Sequence, residues 1–254
     1  MKKYEAYLID LDGTMYRGKS PIPEAKSFIE ELKAQGIPFM FVTNNSSRTP
    51  EDTQIKLKQF GIESEVHQIM TASLATASYL IEEKPDATAY VIGEKGLTTA
   101  LEDKGVQLVE DHPDYVVVGI DRHNTYKKIR QACLHVQNGA KLIATNPDIK
   151  VPTEKGMVPG NGAFVNLIEN VTGMTPEIIG KPTGHMLQIA LEQLGVEPED
   201  AIMVGDNYLT DIQAGIRAEM DTLHVHTGVT SKDELMQYAV QPTYSIETLA
   251  DWVF

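Results

Sequence analysis

The 254-residue chain holds one cysteine, Cys133, so no internal disulfide can form; the residue falls in a helical pattern and reads as a buried core thiol. Basic residues are scarce, with 22 Lys and Arg against 36 Asp and Glu, a formal charge of -14. That balance excludes a nonspecific grip on nucleic acid or anionic membrane, so an anionic substrate needs a local positive site or a bound metal. Long apolar runs are also missing. Lys2 and Lys3 supply positive charge near the start, but Asp10 interrupts the stretch Tyr7-Leu8-Ile9 too soon for a secretory or spanning segment, and a cytoplasmic location is expected. No low-complexity tract or true repeat is present. What remains, 42% hydrophobic and 23% charged, is an ordinary globular composition with enough chain for one large domain or two smaller ones.

Strand and helix patterns alternate from the start, which predicts an α/β fold with a parallel sheet. Ala25, Phe28, Ile29 and Leu32 recur at helical spacing before Gly36, and Ile37 to Val42 is an apolar strand ending in Thr43-Asn44-Asn45. Thr49-Pro50-Glu51-Asp52 carries a cap, a proline at the first helical position and early acids, so a helix is expected from there to Gly61. Another helix is read over 71–83. From Lys84-Pro85-Asp86 the same grammar repeats: strands near 89–92, 115–120 and 141–144, with helices near 96–104 and 125–138. Residues 84–179 are thus expected to form a compact α/β domain of their own. A strand at 177–179, a helix ending at Leu194, strands at 201–204 and 222–225, and a short helix over 246–252 complete the reading.

Asp10-Leu11-Asp12-Gly13-Thr14 puts two carboxylates where a parallel strand meets its loop, the place at which open α/β sheets bind ligands. Alternation places Asp10 and Asp12 on the same side of an extended segment, and acids so close need a cation or a shared proton between them. Asp-Gly pairs also form plain turns, so the motif alone decides nothing. Three further strand-end signals follow in order: Thr43-Asn44, Lys181, and Gly205-Asp206 with Asp211 five residues later. Together these supply a carboxylate nucleophile, a second acid for proton traffic, donors and a cation for phosphoryl oxygens, and acids for a hard metal.

The series resembles the haloacid dehalogenase superfamily of phosphatases over essentially the whole chain. Its NagD-like branch is the closest in pattern, through Asp10 to Tyr16, Phe41 to Ser46, Pro159 to Gly162, Gly180-Lys181-Pro182, Gly205 to Asp211 and Thr227 to Thr230. The resemblance implies a Rossmann-like parallel-sheet core over 1–83 and 180–254, with an inserted α/β cap over 84–179. It implies that Asp10 attacks phosphorus and carries an aspartyl phosphate, while Asp12 protonates the leaving group and then takes a proton from water. Thr43 and the backbone around Asn44 would hold the phosphoryl group, and Lys181 would offset its charge. Mg²⁺ would rest on Asp10, the Asp12 carbonyl and Asp206, with Asp211 as a further ligand or support. Asp211 reads equally as the cap of a helix over 212–218, and Lys181 alone reads as a solvated lysine before a helix.

Cap loops would read the leaving group, and Arg122, Asn146 and Asp148 are the substrate-binding candidates there, although Arg122 reads equally as a solvated loop residue. His224 and His226 share a strand face but lack two further zinc ligands, so they are read as structural. Gly160-Asn161-Gly162 is too short for a dinucleotide fingerprint and is read as positioning the next helix. The expected partner is a small phosphorylated metabolite, first a sugar or acid-sugar phosphate and next a nucleoside monophosphate, and the chain leaves room for a homodimer. A phosphomutase and a noncatalytic metabolite-binding protein are the competing readings; a dehalogenase would need neither the second acid nor the metal.

Overall fold

A computed structural model describes residues 2–153 and 155–254, which divide into two compact units. Among the described residues the first comprises 2–43, 50–70 and 181–254; the second comprises 44–49, 71–153 and 155–180. Among the described residues no helix is long and apolar enough to cross a membrane.

The first unit is built on a six-stranded sheet in the order Tyr244–Ile246, Asp221–Val225, Ala201–Gly205, Ala6–Ile9, Phe39–Thr43, Ile69–Thr71. Ala6–Ile9 pairs in parallel with both Ala201–Gly205 and Phe39–Thr43, so three central strands end side by side. These strands are buried on both faces, which is why they read as continuous apolar runs rather than as alternation. The helix Ala25–Ala34 lays Ala25, Phe28, Ile29 and Leu32 into this core, as the spacing predicts.

The end of the chain departs from expectation. Residues 246–252 are not a helix: Tyr244–Ile246 is an edge strand and Leu249–Asp251 a single 3₁₀ turn. Thr248 and Asp251 form a capping box that closes that turn, and Trp252 leaves it to donate its indole N–H to the Tyr7 hydroxyl at 3.0 Å. A helical continuation would lose this aromatic anchor. The expected helix 212–218 is likewise shorter, Gln213–Arg217, and follows a π turn over Tyr208–Ile212 that contains Asp211.

The second unit has a parallel five-stranded sheet in the order Glu177–Ile178, Lys141–Ala144, Tyr115–Val118, Thr88–Ile92, Gln107–Leu108. Cys133 lies buried on its helix Tyr126–Gln137. The unit begins earlier than the expected residue 84, because helix Ala72–Glu83 packs on helix Lys95–Asp103. Loop 44–49 joins it too. Ser73 Oγ donates to the Ser46 carbonyl at 3.0 Å, Ser46 Oγ accepts from Ile120 N at 3.1 Å, and Gly96 N donates to the Ser47 carbonyl at 3.1 Å. The hairpin Lys150–Thr153 with Gly156–Pro159 was not anticipated. Val151, Met157 and Val158 are exposed on it, so burial imposes no alternating pattern that could announce the strands.

Candidate active site

The site in the first unit lies at the carboxyl ends of the three adjacent central strands. Asp10 follows Ile9, Thr43 closes Phe39–Thr43, and Asp206 follows Gly205. Lys181 comes in from the start of the last segment and is 1% exposed, too deep for an ammonium without partners. Its Nζ lies 2.5 Å from Asp10 Oδ1 and 2.7 Å from Asp211 Oδ1, and donates to the Val42 carbonyl at 2.9 Å. Three oxygens thus replace its hydration shell. Although burial pushes Lys181 down, the carboxylates of Asp10 and Asp211 outweigh it and hold the lysine charged above its ordinary range.

Asp10, Asp206 and Asp211 offer carboxylate oxygens within 4.8 Å of one another, all buried. Thr14 bridges two of them, its hydroxyl 3.4 Å from Asp10 Oδ2 and 3.3 Å from Asp206 Oδ1. Val229 N donates to Asp206 Oδ2 at 2.6 Å, and Asn207 N donates to Asp211 Oδ2 at 3.0 Å. Burial, with the charge of Asp211 second, raises Asp10 well above the usual carboxylate range and pushes Asp206 up to about 7. One lysine does not neutralise three buried acids. Their oxygen-only donor set suits a hard divalent cation such as Mg²⁺, which would supply the missing charge.

The backbone is shaped to this cluster. Gly13, at φ +102°, and Gly228 both approach the Asp206 carboxylate, and a Cβ on either would collide with it. The Asp206 carbonyl is held as well, by Thr230 N at 3.1 Å and by His224 Nε2 at 2.9 Å. That contact makes Nε2 the protonated nitrogen of a neutral ring; burial, followed by the nearby His226, pushes His224 down to about 4. His226 bonds Ser245 Oγ at 2.8 Å. Sequence reasoning missed Thr14, Gly228, Val229 and His224 as parts of the site. The first three lie inside the quoted motifs, whereas His224 carries no local signal.

Asp12 differs from Asp10 in being exposed, with Oδ2 3.3 Å from the Tyr16 hydroxyl. Asp211 does not cap the helix at 213–217; it sits in the π turn facing Lys181. Lys181 is buried and paired, not a solvated lysine.

The candidates in the second unit engage one another. Asn146 Nδ2 donates to the Asn44 carbonyl at 2.9 Å, Asn146 Oδ1 accepts from Asp148 N at 3.1 Å, and Asn44 Nδ2 donates to Asp148 Oδ2 at 3.2 Å. Arg122 stands apart from this group. Its guanidinium lies 2.8 Å from Glu94 Oε2, and its backbone N donates to Glu94 Oε1 at 2.9 Å. Asn161, at the start of helix Asn161–Thr172, donates to the Val118 and Asn146 carbonyls and so ties that helix to the same loop.

A parallel sheet bearing a buried acid cluster and a lysine at adjacent strand ends is suited to a metal-assisted site, and the proteins similar to this chain give the class, a hydrolase acting on phosphate esters. Residues 7–107 match the haloacid dehalogenase-like hydrolases, and residues 178–252 match a second family described as HAD-hydrolase-like. The chain is 48% identical to 5'-nucleotidase YutF of Bacillus subtilis, over 100% of this chain and 99% of that one. It is 47% identical to an acid sugar phosphatase of Staphylococcus aureus, over 98% and 96%. Among solved structures, a double mutant of thermostable NPPase from Geobacillus stearothermophilus has TM-score 0.95 at 51% identity, covering 100% of this chain and 99% of that one. NagD from E. coli has TM-score 0.94 at 29% identity, with 99% of each chain covered. The chain therefore belongs to the haloacid dehalogenase superfamily, among its NagD-like phosphatases, and is a phosphoric monoester hydrolase.

Proposed function

We propose that this chain is a Mg²⁺-dependent phosphatase that hydrolyses acid-sugar and sugar phosphates through an aspartyl phosphate on Asp10. The observation that carries the reading is the shared burial of Asp10, Lys181, Asp206 and Asp211, with Lys181 bonded to both Asp10 and Asp211. An ammonium beside Asp10 opposes the protonation that burial and the charge of Asp211 favour, and so supports the carboxylate as a nucleophile. Asp10 forms a bond to phosphorus as the bond to the leaving oxygen breaks. Asp12, at the exposed rim, gives its proton to that oxygen. In the second step Asp12 takes a proton from water, the water oxygen bonds to phosphorus, and the acyl phosphate bond breaks to restore Asp10.

Thr43 and the adjoining backbone at Asn44 receive the phosphoryl oxygens, and Lys181 offsets their charge. Asp10, Asp206 and the Asp12 carbonyl would hold Mg²⁺, with Asp211 supporting the set through Lys181 and Asn207. When bound, the ion supplies positive charge to the transferring group. Asn146 and Asp148 take part in selectivity through the loop they build with Asn44.

A nucleoside monophosphate is the second substrate class, favoured by the similarity to a B. subtilis chain named as a 5'-nucleotidase. Phosphate release from a panel of sugar phosphates, acid-sugar phosphates and nucleoside monophosphates, with and without Mg²⁺, tests both. Fastest turnover on acid-sugar phosphates supports the first reading, and fastest turnover on nucleotides replaces it with the second. Return of the phosphoryl group to substrate without phosphate release would identify a phosphomutase instead.

A further inference from the structure

Tyr16 occupies an unusual position for a buried phenol. Its ring is 3% exposed and packs on Phe60, with centroids 5.3 Å apart, while the Lys56 ammonium lies 3.5 Å from the ring centroid. Its backbone is fastened to the loop that bears Asp12: Tyr16 N donates to the Leu11 carbonyl at 3.2 Å, and Gly13 N donates to the Tyr16 carbonyl at 2.7 Å. The hydroxyl then reaches Asp12 Oδ2 at 3.3 Å. A carboxylate exposed at the rim has several rotamers open to it, and this one is tied at one oxygen to a ring that cannot move.

We infer that Tyr16 is a positioning residue for proton transfer: its hydroxyl holds Asp12 Oδ2, leaving Oδ1 as the oxygen that carries the proton to the leaving group. The inference rests on the proposed role of Asp12 as general acid. Phenol donation to Oδ2 occupies a lone pair there, so Oδ1 is the better-placed base and the carboxyl plane is turned toward one direction. Lys56 over the ring face holds the phenol in place and favours electron withdrawal from it, which strengthens the hydroxyl as a donor. Atoms balance simply. The proton on Oδ1 passes to the leaving oxygen as its bond to phosphorus breaks, and the Tyr16 proton stays on Tyr16.

The test uses leaving groups of different basicity. A p-nitrophenolate departs without a proton, whereas a sugar alkoxide does not, so only the second substrate depends on a well-aimed acid. In the full-length protein with Mg²⁺, Tyr16→Phe keeps the ring on Phe60 and under Lys56 and removes the hydroxyl alone. We expect kcat/KM to fall about tenfold on ribose 5-phosphate and less than about twofold on p-nitrophenyl phosphate. Because both rates come from one folded population, partial unfolding cancels in their ratio. Equal losses on the two substrates, or no loss on either, would overturn the inference. Asp12→Asn, measured on the same pair, separates the two ideas. If it discriminates between the leaving groups while Tyr16→Phe does not, only the role of Tyr16 fails; if it does not discriminate, the general-acid reading fails first and takes this one with it.

Discussion

Lys181 Nζ and Asp211 Oδ1 form an ion pair at 2.7 Å with both side chains shut away from water, 1% and 2% exposed. The same ammonium touches Asp10 at 2.5 Å, so one cation compensates two buried anions. Lys181→Met therefore leaves those carboxylates uncompensated, and the penalty for a broken buried pair is about 3–5 kcal/mol. Denaturant unfolding should report a loss of that order, with phosphatase activity absent. A loss below about 1 kcal/mol would mean that the pair contributes charge to the site without holding the fold together.

Asp10→Asn is nearly isosteric and keeps one oxygen, but an amide is a poor nucleophile. Turnover should disappear while the unfolding midpoint stays close to that of the parent protein. Residual activity within about tenfold of the parent, with contaminating phosphatase excluded, would remove Asp10 from the covalent role.

The raised carboxylates predict how stability depends on pH when metal is chelated. Asp206 titrates at about 7 in the folded protein, and Asp10 is also well above its ordinary value, chiefly through burial. Between about pH 4 and 7 these two acids bind more protons in the folded state than in the unfolded chain, so their contribution to stability falls as pH rises through this window, while His224, pushed down to about 4, contributes in the opposite sense below about pH 6.5. At 1.36 kcal/mol per pKa unit, the change from Asp206 is on the order of a few kcal/mol. Thermal unfolding in chelator should show the parent midpoint falling, from about pH 4.5 to 7.5, relative to that of Asp206→Asn, which keeps the His224 contribution and lacks that of Asp206. A parent midpoint that stays level with, or rises relative to, that of Asp206→Asn across the window would contradict the buried-acid account.

Mg²⁺ should reverse that loss, since it binds the ionised acids of the folded state. Chelation should abolish phosphate release and added Mg²⁺ restore it. Asp206→Asn should raise the Mg²⁺ concentration for half-maximal rate by about tenfold or more, as expected for a removed ligand. An unchanged titration would place the ion elsewhere.

In the second unit, Asn146→Ala removes the bonds to the Asn44 carbonyl and to Asp148 N, whereas Arg122→Ala removes only an exposed pair with Glu94. Asn146→Ala should change relative kcat/KM across the substrate panel by about tenfold, near 1.4 kcal/mol, without altering the Mg²⁺ requirement. Arg122→Ala should leave the ranking of substrates within about twofold. The reverse pattern would make the arginine, not the loop, the element that reads the leaving group.

Much of this molecule was legible locally. The apolar runs at 6–9, 39–43 and 201–205 announce strands buried on both faces, and the spacing of Ala25, Phe28, Ile29 and Leu32 announces a helix, because these patterns reflect which side of an element faces a core. The placing of Asp10, Thr43 and Asp206 at strand ends follows from the same patterns. The single cysteine excludes an internal disulfide, and the excess of acids over bases is read from composition. Where burial imposes no pattern the reading failed: the exposed hairpin over 150–159 went unseen, and the aromatic anchor of Trp252 replaced an expected helix with a single turn.

Tertiary structure alone decided which strand ends are neighbours. Nothing in the local sequence brings Lys181 to Asp10, 171 residues away, or Thr14 to Asp206, 192 residues away. The sheet order does so by seating Ala6–Ile9 between Ala201–Gly205 and Phe39–Thr43. It also turned Lys181 from a plausible surface lysine into a buried cation, and Asp211 from a helix cap into its partner. Loop 44–49 and helix Ala72–Glu83 joined the second unit through bonds to residues far along the chain, beyond the reach of any periodicity. Periodicity records how an element meets its surroundings, while charge compensation and desolvation depend on which distant groups arrive there, and only the folded chain sets that.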